Sequence, residues 1–434
     1  MEILFLNQWI KKTSNIRKKS RGKEMKEKLT SKERNWILYD VGNSAFTLMV
    51  ATILPIYFNY LADNAGLSSV DYLAYWGYAA SVTTLIVAVI GPIFGTLADT
   101  KGFKKPIFMV SVFIGAAGCI SMGFIKQWQI FLIIFIIAKT GYSASLIFYD
   151  SMLADIAPEE RMDQVSSHGF AWGYIGSCIP FLACLGIVLG AEKIGLTMEQ
   201  AMLISFIIIA LWWILMTIPL WKSYQQINYV EKQKYAVRNS LKRLKQTFLN
   251  VRQEKKIFLF LLAFFFYIDG VYTIIDMATA YGSALGLDST GLLLAFLVTQ
   301  FVAFPFAILF GYLAKHYTAD KLIMLCIIAY LGIALFAMFL ATQWQFWVLA
   351  VLVGMFQGGI QALSRSYFAK IIPSNQSGEY FGLLDICGKG ASFMGTTVVS
   401  FISQITGDIH LGVGMIAVLF LVGFGLFRMA AKES

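Results

Sequence analysis

Twelve apolar stretches, each about as long as a bilayer is thick, constrain this 434-residue chain more than any other feature. They run roughly over 36–61, 73–98, 106–125, 128–150, 168–190, 200–221, 256–283, 291–314, 320–341, 344–366, 380–405 and 410–430. A bilayer's hydrocarbon core is about 30 Å thick and takes about 20 apolar residues per helix. Backbone amides find no water there, so each spanning segment closes its own hydrogen bonds as a helix. Charged residues make up 14% of the chain, against about 25% in a soluble domain. Short loops join nearly all the stretches. The sequence therefore predicts an all-α, multi-pass integral membrane protein with no separate soluble domain.

The net charge of +10 raises the question of a nucleic-acid partner, and its distribution answers against one. Eleven Lys and Arg residues precede Trp36 and ten lie from Lys222 to Lys256, whereas only Lys126 and Lys193 fall in loops of the opposite side. The positive-inside rule then places both termini and the 222–256 segment in the cytoplasm, in a bacterial cytoplasmic membrane. Basic segments at that surface attract anionic lipid. The start MEILFLNQWIKKT is not a signal peptide, because its short apolar run precedes its charges. Met25 offers a second plausible start, MKEKLTSKERNW. Cys119, Cys178, Cys184, Cys326 and Cys387 all fall in apolar stretches without a CxxC pair; they read as small packing residues, not disulfides or metal ligands. Trp36, Trp128, Trp221 and Trp344 stand near stretch ends and read as interface anchors.

The chain repeats itself. GTLADTKGFKK (Gly95 to Lys105) returns as GYLAKHYTADK (Gly311 to Lys321), and SMLADIAP (Ser151 to Pro158) returns as SYFAKIIP (Ser366 to Pro373). Offsets of 216 and 215 residues make two six-helix halves of common origin. An even number of helices per half makes the repeats parallel, as in one large transporter class. The expected organisation is a basic segment 1–35, a bundle 36–221, a basic linker 222–256, a bundle 257–430 and a tail 431–434.

Charged residues at mid-membrane are costly and functional. Lys139, Asp269, Asp276, Asp385 and Lys389 lie well inside apolar stretches, at a summed insertion cost of roughly 12–18 kcal/mol. Asp40, Ser44 and Thr47 share one helix face by their i, i+4, i+7 spacing, as do Asp269, Thr273 and Asp276, and Gln357, Gln361 and Ser364. Lys139 and Ser143 share another face, with Tyr142 beside them. Two readings stand side by side. In one, these residues line a wet cavity where Lys139 attracts a carboxylate while Asp269 or Asp276 meets an ammonium or carries a proton. In the other, the charges neutralise one another. Asp385 and Lys389, at i, i+4, read most simply as a local pair, with Lys389 also in reach of the binding group and Asp385 of the gate. Asp40, near the cytoplasmic end, suits a gate or a binding role equally. Tyr142, Trp172 and Tyr174 either line the pocket or pack.

GTLADTKGFKK resembles the loop signature of the major facilitator superfamily, with Lys104 and Lys105 one place later than the usual arginine and Lys315 replacing the aspartate in the second copy. NWILYDVGNSAF (35–46), FYIDGVYTIIDMATAYG (266–282) and GGIQALSRSYFAKIIPSNQSGEYFG (358–382) resemble the "unknown major facilitator" family, which includes the vacuolar amino-acid effluxers linked to autophagy in fungi. The resemblance spans all twelve stretches. It implies two rocking bundles, a cavity lined by helices 1, 4, 7 and 10, and export of an amino acid or similar small metabolite, with protons as a candidate coupling ion and a monomer as the working unit. It also implies that Gly95, Asp99, Gly102 and Lys104 hold cytoplasmic ends together.

Lipid or drug translocation by the same fold is the alternative, for which the run FLFLLAFFF (258–266) offers a lipid-facing portal. A non-transporting receptor is the remaining reading. An enzyme is not expected: the GxGD element of intramembrane aspartyl proteases, HExxH and GxSxG are all missing, and so is a GxxxxGK[ST] loop for ATP. No cofactor is expected. His168, His316 and His410 stand near loops.

The 215-residue offset places Arg365 on Asp150 and Lys370 on Asp155. Two acids at the end of one helix thus correspond to two bases at the end of its counterpart, with Pro158 and Pro373 stopping each. The sequence predicts a cytoplasmic latch in which Asp150 and Asp155 face Arg365 and Lys370; ordinary local pairing is the other reading. Gly169, Gly173, Gly176, Gly382, Gly388 and Gly390 are placed for close helix packing.

Overall fold

The computed structural model describes residues 28–232 and 236–433. Residues 1–27, which include the alternative start at Met25, lie outside them. The fold is all-helical. The first half holds α1 (Ser31–Ala51), α2 (Ile53–Asn64), α3 (Ser69–Ala98), α4 (Lys104–Met122), α5 (Trp128–Ser151), α6 (Glu159–Leu189) and α7 (Met198–Ser223). The linker forms α8 (Ala236–Gln253). The second half holds α9 (Lys255–Ala284), α10 (Ser289–Leu313), α11 (Ala319–Ala337), α12 (Gln343–Ile371), α13 (Ser377–Thr406) and α14 (Ile409–Ala430). Among the described residues, eleven helical segments are long and apolar enough to cross a membrane, counting α1 and α2 as one. The 30-residue α13 completes the two bundles of six.

α1 and α2 are one span broken at Thr52. Pro55 has no N–H to give the carbonyl four residues back, at Ala51, and its ring crowds that carbonyl. At the break the Thr52 N–H turns to the Met49 carbonyl, and the Thr52 hydroxyl donates to the Leu48 carbonyl at 2.6 Å. α1 opens on a capping box in which Thr30 and Glu33 exchange backbone hydrogen bonds.

Several helices outrun their apolar stretches. α6 starts at Glu159 instead of 168, and α12 runs on to Ile371 instead of 366. The polar stretch 363–382 is therefore mostly helix, divided between the end of α12 and the start of α13. Its charges face the other half of the protein, which is why apolar content alone ends these helices too early. The linker, expected as a plain segment, differs most. Apolar residues at 237, 241, 244, 248 and 251 follow helical spacing, with basic residues between them. α8 packs on α3 and α9.

Ahead of α8, a strap ties the linker to the first half. Val230 pairs in parallel with Thr100. Its N–H donates to the Asp99 carbonyl at 2.8 Å, and the Lys101 N–H donates to the Val230 carbonyl at 3.0 Å. Gln226 donates to the Ala98 carbonyl and accepts from the Gly102 N–H. Gly102 sits at φ +80°, which a residue with a Cβ rarely adopts.

The halves meet along two seams, α3 against α13 and α6 against α10, with α6 also touching α12. The first seam is glycine on glycine. A Cβ on Gly95 would collide with the Gly378 carbonyl, and one on Gly382 would stand 2.8 Å from Pro92 Cα. Gly169, Gly173 and Gly176 are similarly tight against α1. Gly388 and Gly390 differ from expectation: a Cβ there would meet nothing closer than 3.5 Å, so they are not close-packing positions.

Trp36 is not an interface anchor. α1 begins five residues before it, so its indole is fully buried, stacked on Tyr149 at 4.4 Å and bonded to the Tyr149 carbonyl. Trp221 and Trp344 are exposed.

Candidate functional site: a mid-depth cavity wall and a latch beneath it

Arg365 of α12 is the centre of a buried polar cluster at the end of the bundles that carries α8, here the linker side, where the sequence places its latch. Its guanidinium is buried and donates to Asp150 at 2.9 Å, to Asp40 at 3.3 Å, and to the Ser166 hydroxyl and carbonyl at 2.9 and 3.0 Å. Trp36, Tyr149 and Phe170 enclose it, with ring centroids 4.7, 5.5 and 4.3 Å from its central carbon. A buried cation needs such a full set of acceptors, because an unpaired one is expensive, and a planar guanidinium suits both the fork and the rings. Tyr149 also donates to Asp40 at 2.7 Å. Asp40, expected at a helix end, lies ten residues into α1 and is held inside this latch instead of in a binding pocket.

Asp150 and Arg365 are equivalent positions of the two repeats, and they touch. Equivalent groups related by a twofold can meet only at the axis, so this pair marks it. Off the axis, equivalents stand apart. That corrects the expected Asp155–Lys370 pairing. Lys370 bonds Asp163 at 2.6 Å. Asp155 accepts from the Tyr224 hydroxyl at 2.6 Å and from the Ile227 and Asn228 amides of the strap. Burial, and then the Asp155 carboxylate, hold the Tyr224 phenol well above its ordinary pKa.

The motif loop grips the start of α13. The Asp99 carboxylate accepts from the Gly378 and Glu379 amides at 2.8 and 2.9 Å. These are orphan donors of a helix N-terminus, where a negative charge is favoured. Lys104 is fully buried and donates to Ser377 at 2.8 Å, with Asp99 at 3.5 Å and Asp155 at 4.0 Å. The one-residue displacement of the basic pair therefore still brings a lysine to the aspartate. Ser377 in turn donates to the Ser151 carbonyl at 3.0 Å.

Higher along the same seams, Tyr174 of α6 donates to Gln361 of α12 at 2.6 Å. Gln361 is thus engaged between the halves instead of lining an open face. Ser166 donates to the Ala362 carbonyl at 2.7 Å.

Charges of both signs gather at mid-depth. Lys139 of α5 is half-buried, and the charged groups acting on it are Asp276 of α9 and Lys389 of α13. Asp276 is exposed. Lys389 pairs with Asp385 at 2.6 Å. Tyr142 and Thr47 share a hydroxyl hydrogen bond of 2.5 Å, and Thr47 is exposed. Tyr272, not singled out by sequence, stands within electrostatic reach of Asp385, Asp276 and Tyr142. It follows Asp269 by three positions and precedes Asp276 by four, a spacing that would have found it.

Four expected members of this wall are buried instead of open to it. Ser143 is buried. Asp269 and Thr273 are both fully buried and bond each other at 3.2 Å, and Asp269 also accepts from the Gly395 amide at 3.0 Å. The α9 stripe therefore turns from α13 at Asp269 toward the open wall only at Asp276, since a 3.6-residue period drifts across a face. Gln357 is buried beside a small apolar cavity lined by Thr299 and Phe346. Among the described residues, no cluster of His, Cys, Asp and Glu fits a metal ion.

Comparison with known proteins agrees with this architecture. The sequence pattern of the family described as "Vacuole effluxer Atg22 like" matches residues 30–434. A Bacillus subtilis (strain 168) protein, "Uncharacterized MFS-type transporter YxiO", is 42% identical over 415 residues, covering 94% of this chain and 97% of that one. "Autophagy-related protein 22" of Coccidioides immitis (strain RS) is 23% identical over 426 residues, covering 80% and 70%. Among solved structures, a variant of the E. coli fucose:proton symporter FucP superposes with a TM-score of 0.69 at 15% identity, covering 93% of this chain and 98% of that one. The human organic anion transporter MFSD10 gives 0.68 at 14% identity, covering 92% and 100%. The chain is a multi-pass membrane transporter and not an enzyme, and it belongs to the Atg22-like effluxer family of the major facilitator superfamily.

Proposed function

We propose that this protein exports an amino acid or a similarly small zwitterion by alternating access, with the linker side facing the cytoplasm of a bacterial cell. One observation carries the reading: Lys139, Asp276, Asp385 and Lys389 place both signs of charge on facing helices at mid-depth, beside the hydroxyls of Thr47, Tyr142 and Tyr272. A ligand bearing a carboxylate and an ammonium a few ångströms apart matches that pattern, with Lys139 taking the carboxylate and Asp276 the ammonium. An uncharged apolar ligand would cover these groups and offer no partner to offset their desolvation.

The state described is closed on the linker side by the latch around Arg365, the Asp99–Lys104 grip and the glycine seam. Release of these contacts opens the cavity to that side, and the two bundles rock about the site. Gly95, Asp99, Gly102, Lys104, Asp150, Arg365, Lys370 and, through the strap, Asp155 are the gating residues of this reading, with Asp163 as the partner of Lys370. A proton has a natural seat at Asp269. Its second carboxyl oxygen is buried without a hydrogen-bond partner among the described residues, so an added proton there displaces no existing bond.

The test is a thermal-stability screen of amino acids and related metabolites on purified protein. A zwitterionic ligand should stabilise the native protein, and Lys139→Gln and Asp276→Asn should each remove the shift. Stabilisation that survives both substitutions would reject this site.

A further inference from the structure

Beside the helix that carries Asp385 and Lys389 lies a second groove, lined by none of the mid-depth charges. It is formed by the end of α8, the first half of α9 and α13, and holds about 350 Å³, within the range of roughly 300–1,000 Å³ seen for small-molecule sites. Phe258, Leu262 and Phe265 of α9 form one wall and Leu383, Ile386 and Cys387 of α13 the other. Val251 and Arg252 of α8 close one end. The groove is therefore apolar along its length and cationic at one tip.

We propose that this groove binds an anionic phospholipid of the linker-side leaflet, one acyl chain between α9 and α13 and the phosphate at Arg252. Three observations select this occupant. α8 is an amphipathic, basic helix beside the bundle, the kind of element that lies in the headgroup layer. Arg252 is exposed at the rim and has no ion pair among the described residues, whereas its neighbour Lys255 is engaged by Glu433 at 2.6 Å. The acid beside them, Glu254, is exposed and does not line the groove. A guanidinium at the mouth of an apolar slot matches a phosphate diester on an acyl chain, and the bidentate fork favours phosphate over an ammonium-bearing surface. The site also gives a role to Phe258, which is 41% exposed, and to Phe265, whereas Phe260 and Phe264 of the same run pack in the core. Because Leu383 and Ile386 share turns with Asp385, a seated chain braces α13 between the glycine seam and the mid-depth charges.

The experiment uses the full chain in vesicles containing phosphatidylglycerol or phosphatidylcholine, each with a diazirine on an acyl chain, and maps adducts by peptide mass spectrometry. Phosphatidylglycerol should label the peptides holding Phe258–Phe265 and Leu383–Cys387 several-fold more than phosphatidylcholine does. Arg252→Gln should erase that preference and Arg252→Lys should keep most of it, while Leu262→Trp, which fills the slot, should remove adducts at both peptides. Equal labelling by the two lipids would identify ordinary annular lipid and overturn the proposal, as would a preference that survives Arg252→Gln.

Discussion

Removing the Arg365 guanidinium should unlatch the linker side. In the closed state Arg365 and Asp40 have side chains only 6% and 8% exposed, while Asp150 is 28% exposed. Arg365→Ala leaves Asp40 buried with no cation beside it, a loss of about 3–5 kcal/mol for a broken buried pair. That loss applies only to the closed state, because opening lets water reach the carboxylates. The closed-to-open ratio should fall roughly 10²- to 10⁴-fold, at 1.4 kcal/mol per decade. Asp150→Asn is milder. Its amide still accepts from Arg365, Asp40 still neutralises the charge, and partial exposure screens the pair, so about 1 kcal/mol is at stake. Spin labels at Glu160→Cys and Asn375→Cys, exposed on opposite halves of the linker side, report the distance by double electron–electron resonance, with Cys387→Ser removing the one half-buried native thiol. The native protein should give mainly the short distance, Arg365→Ala mainly the long one and Asp150→Asn a mixture. An unchanged distribution in Arg365→Ala, or a larger shift in Asp150→Asn than in Asp40→Asn, would refute this ordering.

Other perturbations follow from the same contacts. Gly95→Ala drives a methyl into the Gly378 carbonyl, so it should lengthen the label distance without unfolding the separate bundles; retention of the short distance would contradict the glycine seam. Asp163→Lys with Lys370→Asp should restore flux that either change alone reduces, because these two groups meet at 2.6 Å. The combination Asp155→Lys with Lys370→Asp should not recover flux, and recovery there would mean the pairing is misassigned. Tyr224→Phe removes the 2.6 Å bond to Asp155. It should lower the melting temperature by the equivalent of about 1.5–3 kcal/mol, typical of a hydrogen bond to a charged group; no change in melting would mean the strap is not anchored there.

Spanning helices were legible in the sequence because hydrocarbon demands long apolar runs, and the repeat was legible because two copies of SxxAxIxP survive in register. The latch was half legible. Opposite charges at equivalent positions pointed to Arg365 and Asp150, which meet at the axis. They misdirected Asp155 and Lys370, because sequence offset carries no information about distance from that axis. Asp163, Ser166 and Tyr149 went unnoticed since each lies in a segment read as loop or as packing. The amphipathic α8 was masked by its charge, which satisfied the positive-inside rule without any helix. Helical spacing grouped Asp269 with Asp276, but one packs against Gly395 and the other stands exposed. Only the rotation of α9 against its neighbours separates them.

Flux across a sealed membrane tests the central claim most directly. Proteoliposomes loaded with labelled amino acids should show protein-dependent release of at least one of them, accelerated by the same amino acid outside. Lys139→Gln and Asp276→Asn should abolish that exchange. Asp269→Asn should keep exchange and lose the response to an imposed pH gradient. Absence of flux for every zwitterion and gradient tried, or full exchange in both cavity variants, would contradict a charged mid-depth site operated by alternating access.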